Sequence, residues 1–409
     1  MVALLFIQSG LAEEGTQEDI FQIYGSQEMI SLAIGYRQSI TDAPAVATVI
    51  TADQIQRLGA LTLAQVLETV PGLHVSSARG VSDIYVIRGF YKTFSTQVLV
   101  LVNGIPVNDI VYGGRPLAWT MPVHDIARIE IVRGPASALY GADAFAGVIN
   151  VITKTSNEIK NPEVGAYAGS FQTYGSWLLG SGHWHDVEMA LYLEGGKTHG
   201  YRRTIKQDDQ TRIDRLLGTS ASLAPGPINT MRDDFNMRLD ISQGDQWRFR
   251  AGYQAFLNVG TGVGTALTLD PKGDFSVRLF TADLTYSLIK NSSWVVDTQF
   301  SYQNTTTNAN LVLYPPGAFG GFFPEGVQEK FSFHVNQQRA GLTALYEGIA
   351  NHRVRLDVGL NHAENGNIEE SRNFILGSAG IPQPTGRLTD IDTFIPWGSR
   401  SAAAALKPG

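Results

Sequence analysis

The chain has 409 residues, a net charge of −7 and no cysteine. That length leaves room for two or three domains, the charge argues against a nucleic-acid partner, and the lack of cysteine excludes a disulfide framework and thiolate chemistry. No apolar run reaches the ~18 residues a spanning helix needs, so the classes that remain are a soluble protein and a membrane β-barrel.

Taken in order, Met1 to Ala12 has a short apolar core and ends in small residues, in the manner of a secretory signal without its basic start. A docked N-terminus is the other reading. Glu28-Met29-Ile30-Ser31-Leu32-Ala33 is an acidic residue leading an alternating apolar run, suited to pairing edge-on with another strand; residues 19–23 compete with it. Residues 46–50 predict a strand, and Thr51-Ala52-Asp53-Gln54 is a capping box for a helix ending at Gly59. Leu63, Val66, Leu67 and Val70 recur at helical spacing until Pro71-Gly72 stops them. Residues 84–88 and 98–102 predict strands, the second running into Asn103-Gly104, a pair that tolerates the positive φ of a tight hairpin.

Ile126, Ile129, Ile131 and Val132 carry strand-type β-branched enrichment, and Arg133-Gly134-Pro135 ends it because proline cannot donate to a ladder. Pro135 suits the start of a short helix over residues 136–140, which Gly141 closes in the left-handed conformation. Residues 148–153 return as a strand. Residues 41–156 therefore predict a small mixed α/β domain.

From residue 163 the texture becomes alternating. Met237, Leu239 and Ile241 oppose Arg238 and Asp240; Trp247, Phe249 and Tyr253 oppose Arg248 and Arg250; Val354, Leu356 and Val358 oppose Arg355 and Asp357. These are period-two strands with one apolar and one polar face. Short links at Gly182, Gln243-Gly244-Asp245 and Asn291-Ser292 alternate with long ones over residues 195–227, 260–273, 304–329 and 364–389. Short turns on one rim and long loops on the other fit an outer-membrane barrel, although a soluble sheet with one wet face alternates in the same way. The apolar phase slips between Leu279 and Phe280 and again around residues 336–339, which predicts a β-bulge or a strand projecting beyond the membrane. Nine strands are legible, with a tenth near residues 391–397.

No catalytic or metal-ligating constellation emerges. His74 and His124 are isolated, and H-E-x-x-H, G-x-S-x-G and Walker patterns are missing. Gly260-Thr261-Gly262-Val263-Gly264 precedes no helix that could hold phosphate. His183-Trp184-His185 would place its two histidines on opposite faces of a strand, which favours a turn or interfacial role.

RIEIVRGPASALYGADAFAGVINVITK, residues 128–154, closely resembles the end of the plug domain of TonB-dependent outer-membrane receptors. DAPAVATVITADQI, LAQVLETVPGLHV, YVIRGF and LVLVNGIPV resemble further pieces of it, so the similarity spans residues 42–154. The resemblance implies a plug over residues 41–156, seated inside a barrel of ~22 strands of which residues 163–409 supply part. Residues 1–12 would then be a residual signal peptide and residues 13–40 a segment carrying the TonB box at Glu28 to Ala33. The ending SRSAAAALKPG lacks a final aromatic-ended strand, so a truncated chain is expected.

By the same resemblance the partners are TonB with its inner-membrane energising complex, outer-membrane lipid and a small-molecule ligand. No cofactor, metal or catalysis is implied. A ferric siderophore is the first expectation for the ligand, with cobalamin or haem next; a non-transporting signalling or adhesion receptor, or a non-functional gene product, is the alternative. Tyr91, Phe94, Tyr112 and Arg115 on two plug loops, and Tyr314, Phe322 and Phe323 on a barrel loop, are the candidate ligand contacts, with simple packing as the other reading. Arg88 and Arg133 are expected to lock the plug against barrel carboxylates, or else to pair within the plug.

Overall fold

The computed structural model describes residues 2–9, 29–30, 38–39, 47–78, 82–92, 96–349, 352–366, 368–376 and 381–390. At the N-terminus, β1 (Val2–Ser9), in the stretch read as a signal remnant, pairs antiparallel with residues 352–359. β2 (Met29–Ile30) pairs with β3 (Gln38–Ser39). Of the acid-led run, Glu28, Ser31, Leu32 and Ala33 lie outside the described residues, as do residues 19–23.

The plug begins with β4 (Ala47–Thr51) and α1 (Ala52–Leu58). The capping box is formed: Gln54 N donates to Thr51 Oγ1 at 3.4 Å and Thr51 N donates to Gln54 Oε1 at 2.8 Å. Gly59 ends the helix at φ 64°, where a Cβ would be strained. α2 (Leu63–Leu67) is shorter than its periodicity suggests, because i→i−3 bonds at Thr69 and Val70 tighten the chain towards Pro71. β5 (Leu73–Ala78), which the sequence reading did not anticipate, forms a hairpin with β6 (Ser82–Ile87).

β7 (Val98–Val102) and β8 (Ile105–Pro106) are joined through Asn103 and Gly104, both at positive φ, as a type I′ turn requires. β9 (Ile126–Arg133), α3 (Ser137–Tyr140) and β10 (Gly147–Thr153) complete the domain. Gly141 does take positive φ, but with ψ −171° it is extended rather than left-handed helical. The sheet runs β4-β9-β10-β7-β8, with β10 parallel to β7 and antiparallel to β9. Leu63, Val66, Met121, Ile129, Ile131, Ile149 and Val151 are wholly buried between this sheet and the helices.

The second unit is one antiparallel sheet. β11 (Glu163–Gly169), β12 (Thr173–Trp184) and β13 (Val187–Thr198) come first. A long loop follows, holding β14 (Thr204–Ile205), α4 (Asp209–Leu217) and β15 (Gly226–Pro227). Then come β16 (Arg232–Gln243), β17 (Trp247–Gly260), β18 (Asp274–Lys290), β19 (Trp294–Tyr314), β20 (Val327–Ile349) and β21 (His352–Asn365), each beside its predecessor, with β16 beside β13. β22 (Glu369–Leu376) pairs with the top of β20 and with β23 (Pro382–Asp390).

Several expected connections move. Gly182 lies inside β12 and the turn falls at residues 185–186, with His185 at φ 54° and Trp184 edge-on to its ring. The 304–329 link is mostly strand, leaving only residues 315–326 as loop, and within the 364–389 link β22 and β23 pair antiparallel. Residues 391–397 lie outside the described residues.

The phase slips have one cause. β18 pairs in unbroken register through Leu279 and Phe280 on both sides, and β20 pairs with β19 in the same way through residues 336–339. Neither slip is a bulge. Below the slip the outward face is apolar, through Phe280, Leu284 and Tyr286 on β18 and Phe300 and Tyr302 on β19. Above it the outward face turns polar, with Asn304, Thr306 and Asn308 on β19 and Ser332, His334 and Asn336 on β20, while Phe275, Val277, Leu279, Phe333 and Val335 turn inward and are buried. The strands project past the lipid, and there the plug, not the bilayer, covers their apolar face.

Aromatic pairs mark both edges of the apolar band: Trp294 and Tyr346 at 4.6 Å below, Phe235 with Tyr253 and Phe280 with Tyr302 at 6.3 and 6.2 Å above. The upper limit falls from Phe235 on β16, through Phe280 and Tyr302, to Ala340 on β20 and Leu360 on β21; in the pairing register the last two align with Ile241 of β16. A fall from Phe235 to Ile241 is ~20 Å of strand across five spacings, ~24 Å, so the strands tilt by roughly 40° to the membrane normal.

Candidate functional site

The plug is seated against the inner, polar face of the sheet, and side chains that look like ordinary strand alternation hold it there. At the level of the lipid band, Arg238 of β16 donates to Asp125 of the plug in a short ion pair, and His124 Nδ1 lies 2.8 Å from Glu194 Oε2 of β13. The His124 ring stacks on Trp177 at 3.7 Å. Asp125 is almost fully buried, which pushes its carboxyl up, and the Arg238 guanidinium pulls it part of the way back. Trp119 Nε1 donates to Gln254 Oε1 at 3.0 Å. A crevice beside these contacts runs between the 102–107 hairpin of the plug and the wall, lined by Asp125, Lys154, Arg238, Asp240, Arg250 and Asp283. Within it Arg250 grips Asp283 bidentately, Nε donating to Oδ1 at 3.1 Å and Nη2 to Oδ2 at 2.7 Å.

Higher up, Asn108 of the plug takes three side-chain hydrogen bonds from the wall. Its carbonyl accepts from Gln303 Nε2 and Gln337 Nε2, both at 2.7 Å, and its Oδ1 accepts from Arg339 Nη2 at 2.5 Å. Next to it Asp109 is fully buried: Oδ1 accepts from Val111 N at 2.8 Å, and Oδ2 has no protein partner. Burial raises the Asp109 carboxyl to about 6, against the opposing effect of the Val111 and Tyr112 amides.

The expected ligand residues fall into different surroundings. Tyr91 is exposed on the plug beside Phe90, whose ring meets Phe145 edge-on at 5.5 Å. Phe94 lies outside the described residues. Tyr112 packs edge-on against Phe333 of the wall at 5.8 Å. Arg115 is buried in the plug, donating to the Asp83 carbonyl at 2.5 Å and lying 3.7 Å over the Tyr85 ring; it faces no open ligand surface. Tyr314 and Phe323 pack with Phe319, Val327 and Phe374, whereas Phe322 is 70% exposed.

Both expected lock arginines sit against the plug itself. Arg133 donates to the Pro71 carbonyl and to Thr48 Oγ1, and the Arg88 guanidinium lies close to Gly134. The short plug–wall ion pair of Asp125 with Arg238 has the acid on the plug and the arginine on the wall, whereas Lys154 of the plug faces Glu163 of the wall at 3.8 Å. Sequence reading missed Asn108, Asp125, Arg238 and Gln303; the one signal for Arg238 and Gln303 was a polar residue on an inward strand position, which every strand here shows many times, and Asn108 and Asp125 lie between strands.

The long connections form a joined cap over the open end. Asp208 Oδ2 accepts from Leu269 N at 3.0 Å, Asn229 and Gly262 exchange backbone bonds, and Asp270 Oδ2 accepts from Val312 N at 3.1 Å. The loops that follow β13, β17 and β19 are thereby tied together.

A plug domain lodged on the polar side of a tilted sheet, whose outer side is an apolar band with aromatic edges, defines an outer-membrane receptor of the plugged-barrel class. Residues 39–148 match the family model of the TonB-dependent receptor plug domain. The vitamin B12 transporter BtuB of Vibrio vulnificus is 38% identical over 152 residues, covering 36% of this chain and 24% of that protein. The iron-regulated outer membrane virulence protein of Vibrio cholerae is 33% identical over 165 residues, covering 38% and 23%.

Among solved structures, the pyoverdine outer membrane receptor FpvA of Pseudomonas aeruginosa superposes with a TM-score of 0.61 at 16% identity, over 88% of this chain and 54% of that one. The ferric yersiniabactin uptake receptor FyuA of Yersinia pestis gives 0.53 at 18%, over 80% and 50%. The chain spans about a quarter of the sequence relatives and about half of the solved ones. Residues 39–148 are similar to the plug domain of TonB-dependent receptors, and the chain has the fold of the plug and part of the barrel of the solved receptors.

Proposed function

We propose that the chain serves energy-dependent import across the outer membrane and that it has no catalytic role. The observation that carries this is the seating of the plug: a folded domain lies against the inner face of the sheet, held there by hydrogen bonds, an ion pair and apolar contacts with Phe256, Val277 and Leu279 rather than by any covalent link. A ligand too large for porins would bind the extracellular cap and the plug apex, where Tyr91, Tyr112 and Phe322 offer aromatic surface and Phe94 is a further candidate. TonB, energised from the inner membrane, would pair with the Glu28 to Ala33 segment, pull on it and rearrange the plug. Arg88 and Arg133, against Gly134 and Pro71, would hold the turns of the plug through that movement. A ferric siderophore is the preferred ligand, with cobalamin or haem next; both iron and vitamin B12 appear among the relatives.

The test is deletion of residues 28–33 in the full-length protein. Import predicts that uptake is lost while surface binding of the ligand persists. Undiminished uptake would refute it, and a signalling or adhesion role predicts that the deletion leaves that activity intact.

A further inference from the structure

The first long loop carries Arg202, Arg203, Lys206, Arg212 and Arg215 in a chain whose net charge is −7. All five are exposed. The same loop holds Asp208, Asp209 and Asp214, so by formal charge it is only mildly basic. The structure separates the two signs. Asp208 caps α4, accepting from Thr211 N at 2.8 Å, Ser222 Oγ at 2.7 Å and Leu269 N. Asp214 accepts from Gln210 Nε2 at 2.8 Å, Thr219 Oγ1 at 2.7 Å and Ser222 N at 2.7 Å. Burial pushes both carboxyls up, but these donors outweigh it and hold them below the ordinary range.

Two of the three negative charges are therefore turned into the loop and solvated there by local donors, while the cations face outward. The third, Asp209, pairs with Arg212 at 3.1 Å. Among the described residues Arg202, Arg203, Lys206 and Arg215 meet no carboxylate.

The loop also reaches the mouth of the lumen. It leaves β13 and returns to β16, yet Asp209 of α4 hydrogen-bonds Tyr314 at the top of β19, three strands further round. Tyr314 pairs with Val327, which is wholly buried on the inner side. With Arg115 used inside the plug, this loop holds five exposed cations, against Lys272 alone in the 261–273 loop beside it.

We propose that the 202–215 loop is an electrostatic collector for a multiply anionic ligand, such as a ferric chelate built on catecholate or carboxylate groups, and that neutral corrinoids are not its substrate class. This rests on the import-receptor reading above. Exposed like charges beside a low-dielectric mouth raise encounter rates and do so less as salt screens them.

The test is stopped-flow quenching of tryptophan fluorescence on the intact chain, with three probes: a trianionic ferric tris-catecholate, a cationic ferric tris-hydroxamate and neutral cyanocobalamin. The expected result is association of the trianionic probe that slows at least about tenfold between about 10 and about 300 mM salt. A variant with Arg202→Gln, Arg203→Gln, Lys206→Gln and Arg215→Gln should lose a similar factor at low salt and most of the salt dependence. The matching Arg→Lys variant should behave as wild type, because charge and not geometry is at work. Equal rates for the Gln variant and wild type, or binding confined to cyanocobalamin or the cationic probe, would overturn the collector and leave the receptor reading standing. If none of the three probes binds wild type, both readings fall.

Discussion

The plug meets the wall at two levels, and the levels use different chemistry. At the level of the lipid band the contacts are buried: the ion pair of Asp125 with Arg238, and the hydrogen bond between His124 and Glu194 against the Trp177 ring. Nearer the cell surface the contact is one asparagine gripped by two amides and a guanidinium. A buried ion pair is costly to break from one side, because the abandoned charge has nowhere to go. Amide hydrogen bonds exchange with water at little net cost. The upper contact is thus the one suited to give way first, beside the apex where a ligand would arrive, and the lower one is suited to hold until force is applied.

The largest expected effect breaks the lower level. Arg238→Ala should destabilise the plug against denaturant by about 3–5 kcal/mol, since it strands a buried Asp125. Chemical denaturation in detergent micelles, followed by the fluorescence of Trp119, would measure it. A cost under ~1 kcal/mol would mean that water already solvates the pair.

The upper level should respond to pH. Asp109 titrates near 6 in the fold and near 3.9 when unfolded. The folded form holds its proton more tightly, so stability is greatest below about pH 4 and falls as pH rises towards about 6, by on the order of 3 kcal/mol. Asp109→Asn should remove that dependence and stabilise the plug at neutral pH, as read from denaturation midpoints across the range.

Asn108→Ala should cost less, about 1–3 kcal/mol, and its mark should be local. Hydrogen exchange would quicken in residues 107–115 but not around Asp125. Uniform loosening of both levels would erase the distinction between them. The smallest effect is expected at the exposed Phe322, where Phe322→Ala should shift stability by no more than about 0.5 kcal/mol. A measurable loss of ligand binding there would then report contact rather than folding.

The two levels also differ in how legible they were. The elements of the plug could be read because its signals are local: a capping box at Thr51, an Asn103-Gly104 turn, a proline after Arg133. The barrel strands could be read by alternation as far as the lipid extends. Beyond it the code inverts, and the upper half of β19 looked like loop, while that of β20 looked like a strand with a slipped phase, because their apolar residues face the plug. α4 went unread although Asp208, Thr211 and Gly218 are its cap, box and stop, because the eye follows strand period in such a region. The contacts that matter most to the site, through Asn108, Asp125 and Arg238, join residues more than a hundred positions apart, and no local pattern singles them out.

The inward apolar stretch of the projecting strands has one more consequence. Phe256, Val259, Phe275, Val277, Leu279, Ala309 and Leu311 of the wall belong to the same buried cluster as Ile129, Ile149 and Trp119 of the plug. The plug therefore cannot finish its own interior. Released from the ribosome ahead of the strands, it would show water a bare flank of aliphatic side chains, and only the arriving hairpins could cover it. Assembly of the two parts is coupled by that shared oil. The cell must keep the early domain from sticking to other chains until the later one encloses it.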